Sequence, residues 1–216
     1  MVVATAVNVD LGLAGPAVSP PAIRMVDATL RCIARWGVAK TTLDDVAREA
    51  GCSRATVYRL FPGGKDGLLD AVARTETERF FAGLAEHMAG AESLEELVVA
   101  GVGEAGRRLV GHPALRFLAA CEPDALLPLL SFAQKDRVLG FASSWAEPWL
   151  RPWLGDHAGR AVEWIARLVL SYAACPADGI DLSDGESVRR LVTTFVLPGL
   201  ARLAEDTSAP TSRGSQ

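Results

Sequence analysis

Between Ser53 and Lys65 the chain sets hydroxyls at Ser53, Thr56 and Tyr58 among cations at Arg54, Arg59 and Lys65. In a helix Arg54, Thr56, Tyr58 and Arg59 lie largely on one side, while Val57 and Phe61, four apart, mark the opposite one. Hydroxyls here, and at Thr42 upstream, can reach phosphate oxygens, and the guanidinium fork of Arg54 or Arg59 matches the guanine edge bidentately. This is the chemistry of a surface that grips a sugar-phosphate backbone and reads bases. Taken singly, each side chain also has an ordinary role. Thr42 can cap a helix, Tyr58 can pack on a neighbour, and the arginines can be solvated charge. Their combination on one face points to nucleic acid.

The whole chain carries the opposite balance, with a formal net charge of -4 and a pI near 5.4 over 216 residues. Charge, however, is unevenly spread. Residues 22–66 hold eight cations and five acids, a net of +3, which leaves -7 for the remainder. Phosphate attraction depends on the field within a Debye length, about 8 Å at physiological salt, so the acidic total does not disqualify a basic head.

The positioning elements are helical. Ile23, Val26, Leu30 and Ile33 recur at spacings of three and four, and Gly37 is placed as a stop. Thr41 or Thr42 can cap the next helix, with Asp44 or Asp45 three residues on, and Val46, Ala47 and Ala50 face inward before Gly51 ends it. The short helix beginning near Arg54 follows through Gly51, Cys52 and Ser53, making a helix-turn-helix. Pro62 and Gly63 suit a type II turn, after which Gly64 and Lys65 open a long helix to Met88, its N-terminus offered to a phosphate. Further helices are expected near 93–110, 113–121, 124–131, 133–154, 156–175 and 184–205, the last capped by Ser183 with Glu186. Strand signals are almost absent, so the fold class is all-α. Residues 1–21 read as a flexible arm and 207–216 as a disordered tail.

Two features of the acidic body bear on function. From Ala161 to Tyr172, and again from Val188 to Leu203, apolar residues spread over nearly every helical face, which calls for cover on all sides. A second subunit packed on Trp164, Leu168, Tyr172, Leu191 and Phe195 would supply it, although earlier helices of the same chain could also serve. Phe141, Trp145, Trp149 and Trp153 form a stripe at every fourth residue, interrupted by Pro148 and Pro152, which should kink or divide that segment. With Phe117, Leu118 and Phe132 this stripe is either plain core or the wall of a pocket, and its few charges favour a hydrophobic, lipid-like or acyl ligand.

Other classes find little support. Cys32, Cys52, Cys121 and Cys175 are scattered, as are His87, His112 and His157, so neither a metal nor a disulfide is expected, and reduced thiols suit a cytoplasmic protein. No cofactor motif appears. The Gly64-Lys65 pair lacks the surrounding residues of a nucleotide phosphate loop, since Arg59 and Asp66 stand where that motif needs glycine and a hydroxyl. The longest stretch free of charge, Leu11 to Ile23, is too short for a membrane span. Glu95 with Glu96, and Glu122 with Asp124, read as solvated surface acids rather than a catalytic pair, so no enzyme is expected. A sequence-neutral architectural DNA binder, or a helical carrier or enzyme with a vestigial head, are the competing possibilities.

The segment from Ala22 to Leu69 resembles the TetR family of bacterial transcriptional regulators, on Thr42, Val46, Ala47, Ala50, Gly51, Ser53, Thr56, Val57, Tyr58, Phe61, Lys65 and Leu68. Cys52 stands where valine is common, and Phe61-Pro62-Gly63-Gly64-Lys65 is one residue longer than the usual spacing. The resemblance implies an all-helical homodimer with a DNA-binding domain over 22–68 and a ligand-binding and dimerisation domain over 69–206. It implies phosphate contacts from Thr42, Thr56, Tyr58 and Lys65, and base contacts from Arg54, Ala55 and Arg59, with Ser53 beside them. The partners would be a double-stranded, palindromic operator and a small effector, the chain acting most simply as a repressor.

Overall fold

The structure, a computed structural model, describes residues 19–123 and 132–208, so the expected helix over 124–131 lies outside the described residues, as do residues 1–18 and 209–216. Helices account for almost all of the rest: α1 (Pro20–Lys40), α2 (Leu43–Glu49), α3 (Arg54–Leu60), α4 (Gly64–Met88), α5 (Leu94–Gly111), α6 (Pro113–Cys121), α7 (Phe132–Leu154), α8 (Ala158–Ala174), α9 (Gly185–Leu191) and α10 (Leu197–Ser208). Among the described residues there is no strand, only an isolated bridge from Ala177 to Ile180. No described helix is long and apolar enough to cross a membrane.

The chain divides into two compact units. One takes in α1, α2, α3, α4 as far as Ala85, and α6; the other takes in the end of α4, α5 as far as Arg107, and α7 onward.

In the first unit α1 starts with prolines that need no backbone donor and buries Met25, Val26, Ala28, Thr29, Cys32 and Ile33. Against it pack Val46 and Ala47 of α2, Val57 of α3, Phe61, and Leu68, Ala71 and Val72 of α4. Ile33 continues that surface into a second cluster with Ala114 and Leu118 of α6. Expected positions Ile23 and Leu30 are only half-buried, because small residues on the neighbouring stripe, Ala22, Ala28, Thr29 and Cys32, let the other helices approach there. A polar tie crosses the same unit. Arg79 donates to Asp27 at 2.7 Å and to Glu76 at 2.9 Å, Arg108 donates to the Arg79 carbonyl at 3.2 Å, and His112 meets Glu76 at 3.1 Å. His112 also caps α6, its Nδ1 accepting the Leu115 N–H at 3.3 Å, so Nε2 carries the proton offered to Glu76.

In the second unit α7 packs along α8, joined through a 3₁₀ turn, Gly155–His157. Pro148 and Pro152 lie within the continuous helix α7, so of the two expected outcomes, a kink or a division, the division does not occur. Both rings and Ser144 are exposed, so the carbonyls that lose their helical partners can turn to water. The helix pair α9 and α10 is continuous through a π turn, Val192–Val196. Its cap is Asp184, whose carboxylate accepts the Ser187 N–H at 2.8 Å, rather than the expected Ser183. Ser183 instead donates its hydroxyl to Asp181 at 2.6 Å, and Glu186 makes no box with it.

Candidate nucleic-acid interface

The helix-turn-helix is built by two cap devices. At the start of α2 the Thr42 side chain accepts the Asp45 N–H at 3.2 Å while Asp45 accepts the Thr42 N–H at 3.2 Å, a reciprocal capping box. Thus Thr42 and Asp45 are the pair that the sequence leaves open, and Thr41 is buried, donating to the Gly37 carbonyl at 2.6 Å. The Thr42 hydroxyl proton also goes to Asp45, at 2.6 Å, and these two bonds hold the Asp45 carboxyl below the usual carboxylate range.

The α2 helix ends in a Schellman motif. Gly51 takes φ 66, its N–H bonds the Arg48 carbonyl at 3.2 Å, and the Cys52 N–H reaches back to Ala47 at 2.9 Å. Ser53 then caps α3 by accepting the Thr56 N–H at 3.2 Å, and its hydroxyl lies 2.9 Å from that of Thr56. Serine three residues before a threonine amide is a readable signal for this cap.

Within α3 Val57 is fully buried, and Arg54, Ala55, Tyr58 and Arg59 are exposed, with Thr56 half-buried. Arg54 is not idle: its guanidinium bonds Asp44 of α2 at 3.1 Å and the Tyr58 hydroxyl at 3.2 Å, and lies 5.4 Å over the Tyr58 ring. The Tyr58 bond, and then the Asp44 charge, raise the Arg54 pKa. Arg31 and Arg35 both engage Glu49, at 2.6 Å and 3.2 Å, and Arg48 engages Asp45 at 3.3 Å. The Glu49 carboxyl is held low chiefly by its Arg31 bond. Among the described residues of the basic head, Arg24, Lys40, Arg59 and Lys65 have no ion-pair partner.

Lys65 takes a direction that spacing alone does not reveal. Gly64, not Gly63, adopts the left-handed φ of 66, so the turn closed by the Gly64 N–H to Phe61 carbonyl bond at 2.9 Å is not the expected type II. The extra residue is taken up at Gly64, and the Lys65 ammonium donates to the carbonyls of Val38 at 2.6 Å and Ala39 at 3.4 Å. It holds the end of α1.

Residues 25–72 match the family described as bacterial regulatory proteins, tetR family. Over this segment the chain carries a TetR-family DNA-binding domain. Over 68 residues it is 43% identical to the HTH-type transcriptional regulator BetI of Burkholderia thailandensis, a match that covers 32% of this chain and 34% of that relative. The chain thus spans about a third of the length of that curated relative. Beyond this segment the likeness is one of fold. The TetR family repressor AlkX from Dietzia sp., implicated in biodegradation of n-alkanes, superposes with a TM-score of 0.61 at 24% identity, covering 83% of this chain and 97% of that one. The fatty acid degradation regulator FadR from Bacillus halodurans gives 0.59 at 17% identity, covering 81% and 95%. An all-α TetR architecture, with an N-terminal helix-turn-helix domain and a C-terminal helical domain, follows.

The body residues singled out in the sequence fall in different places. Trp145 and Trp149 are buried side by side in the second unit, ring centroids 6.0 Å apart, and Phe141 is half-buried near them in sequence. Phe117 and Leu118 belong to α6 in the first unit, where Leu118 packs on Ile33. Phe132 opens α7, and its side chain lies outside the description. The Trp149 Nε1–H is buried without a hydrogen-bond partner among the described residues. On α8 Trp164 is 43% exposed and on the π turn Phe195 is 64% exposed, whereas Leu168 and Tyr172 are half-buried and Leu191 is buried within its own chain.

Proposed function

We propose that the chain is a ligand-responsive transcriptional regulator that binds a palindromic DNA operator as a homodimer and represses transcription from it. One observation carries the reading: Arg54, Tyr58 and Arg59 stand exposed on α3, the second helix of a helix-turn-helix, in the segment that matches the family. Arg59, free of ion pairs among the described residues, is best placed to take a guanine edge, with Arg54 released from Asp44 as the second reader and Ala55 admitting a close approach. Phosphate contacts come from Thr42, Ser53, Thr56 and Tyr58.

Dimerisation would cover Trp164 and Phe195, large apolar side chains that a lone chain leaves in water. The effector is read as a hydrophobic molecule with one polar end: the Trp145 and Trp149 rings offer apolar surface, and the orphaned Trp149 N–H asks for an acceptor such as a carboxylate. The relatives named for n-alkane and fatty acid degradation are consistent with an aliphatic or acyl effector.

The deciding experiment recovers duplexes from a random-sequence pool with the full chain and measures their binding by fluorescence anisotropy over a salt series. An inverted repeat bound far more tightly than scrambled duplex, with affinity falling steeply as salt rises, is expected. Equal affinity for scrambled DNA would instead support an architectural binder.

A further inference from the structure

The end of α1 is held from three directions. At Gly37 the backbone turns to φ 82 and ψ 172, and residues 38–40 form a hook that runs directly into Thr41 and Thr42. Thr41 ties its hydroxyl to the Gly37 carbonyl, and Lys65 from the first turn of α4 holds the Val38 carbonyl. The third tie comes from far away in sequence. Glu122, at the end of α6, accepts the Val38 N–H at 2.8 Å on Oε2. One peptide segment is therefore gripped at its N–H by a carboxylate and at its carbonyl by an ammonium, each from another helix.

The fit around Glu122 is close. A Cβ built on Gly37 would clash with all three heavy atoms of the Glu122 carboxyl group, and the positive φ already disfavours any side chain there. Past the break at Gly37 the Val38 N–H takes its acceptor from Glu122, and a charged acceptor bonds more strongly than a neutral one. Without it a part-buried donor is left unmet, and the closed hook becomes only one of several arrangements.

We propose that Glu122 is a positioning residue for the DNA-binding head: by holding Val38 it fixes the hook from which the Thr42 cap and α2 are aimed. The proposal rests on the head being a DNA interface. Binding then weakens by the fraction of molecules in which the hook has opened. Charge alone predicts the reverse sign. Removing an acid from a surface that meets phosphates strengthens binding, whereas removing this acceptor weakens it.

The test uses the full chain, a duplex recovered from a random-sequence pool by the unsubstituted chain, and amide exchange at Val38 followed by NMR. Glu122→Ala should weaken duplex binding about tenfold or more, leave the salt slope unchanged and speed Val38 exchange. Glu122→Gln, which loses the charge but keeps an acceptor oxygen, should restore both. Glu122→Asp, which keeps the charge but withdraws the oxygen, should behave like the alanine variant and serves if that one fails to fold. Duplex binding by either variant at or above the unsubstituted level, with Val38 exchange accelerated, would overturn the proposal and leave the DNA reading intact. If no duplex is recovered at all, the DNA reading has failed. Unchanged Val38 exchange in Glu122→Ala and Glu122→Asp overturns the positioning role on its own.

Discussion

Lys65 makes its shortest hydrogen bond, 2.6 Å, to the carbonyl of Val38. A lysine in the first turn of α4 thus serves the end of α1, which under the proposed function leaves phosphate anchoring to Thr42, Ser53, Thr56 and Tyr58. Replacing it by methionine, which keeps most of the stem, should lower stability by about 1–3 kcal/mol through the unmet carbonyl. Duplex affinity should fall without a change in the slope of log K against log salt. A slope smaller by about one would mean that Lys65 swings round to a phosphate on binding.

Asp44 forms an ion pair with Arg54, so under the proposed function the carboxylate competes with DNA for that guanidinium. Asp44→Asn should free that fork and remove a negative charge from the interface. Affinity for scrambled duplex should then rise more than affinity for the selected one, so discrimination narrows. Arg59→Ala should cost roughly tenfold or more on the selected duplex and little on scrambled DNA, beyond the loss of one cation. Anisotropy with both duplexes at matched salt measures each. Equal losses on the two duplexes would reduce Arg59 to a general cation.

The helices, their order and the inward side of α3 were legible because burial follows period and spacing: Val57 and Phe61 needed only their separation of four to be assigned. Thr42 was readable as a cap, though not its choice of Asp45 over Asp44, since both acids lie within one turn. The direction of Lys65 was not legible, because it depends on the conformation of one glycine, Gly64. Glu122 was missed for a different reason: it reads as a surface acid, and its partner lies 84 residues earlier. The unbroken course of α7 through Pro148 and Pro152 rests on both rings facing outward, which depends on what covers the other side. Nothing in the run from Val192 to Val196 announces a π turn.

Two glycines separate packing from propensity. At Gly106 an added Cβ would lie 2.5 Å from the Leu182 side chain and 2.8 Å from its carbonyl, and backbone cannot give way cheaply. Gly106→Ala should destabilise the chain by about 1–3 kcal/mol. At Gly140, inside α7, nothing lies within 4 Å, so Gly140→Ala should stabilise by about 0.5–1 kcal/mol from helix propensity alone. Urea midpoints at equal m-values check both. Similar shifts in one direction would show that neither site is packed as described.

Acid should unfold the chain partly through Glu76. The hydrogen bond from His112, then the bond and charge of Arg79, hold this carboxyl below the usual range against the opposing effect of burial. A folded pKa below the unfolded one contributes stability that is complete above the unfolded value, about 4.3, and is lost as pH falls through the folded value. Glu76→Gln removes that contribution, so the variant should be less stable at neutral pH and should lose less on acidification than the unsubstituted chain. A residual acid limb will remain, because Asp45, Glu49 and Asp181 are also held low, chiefly by Thr42, Arg31 and Ser183 respectively. Urea midpoints measured from about pH 6 to pH 3 decide it. Parallel curves for the two proteins would mean that Glu76 is no more strongly bound to its partners in the fold than in the open chain.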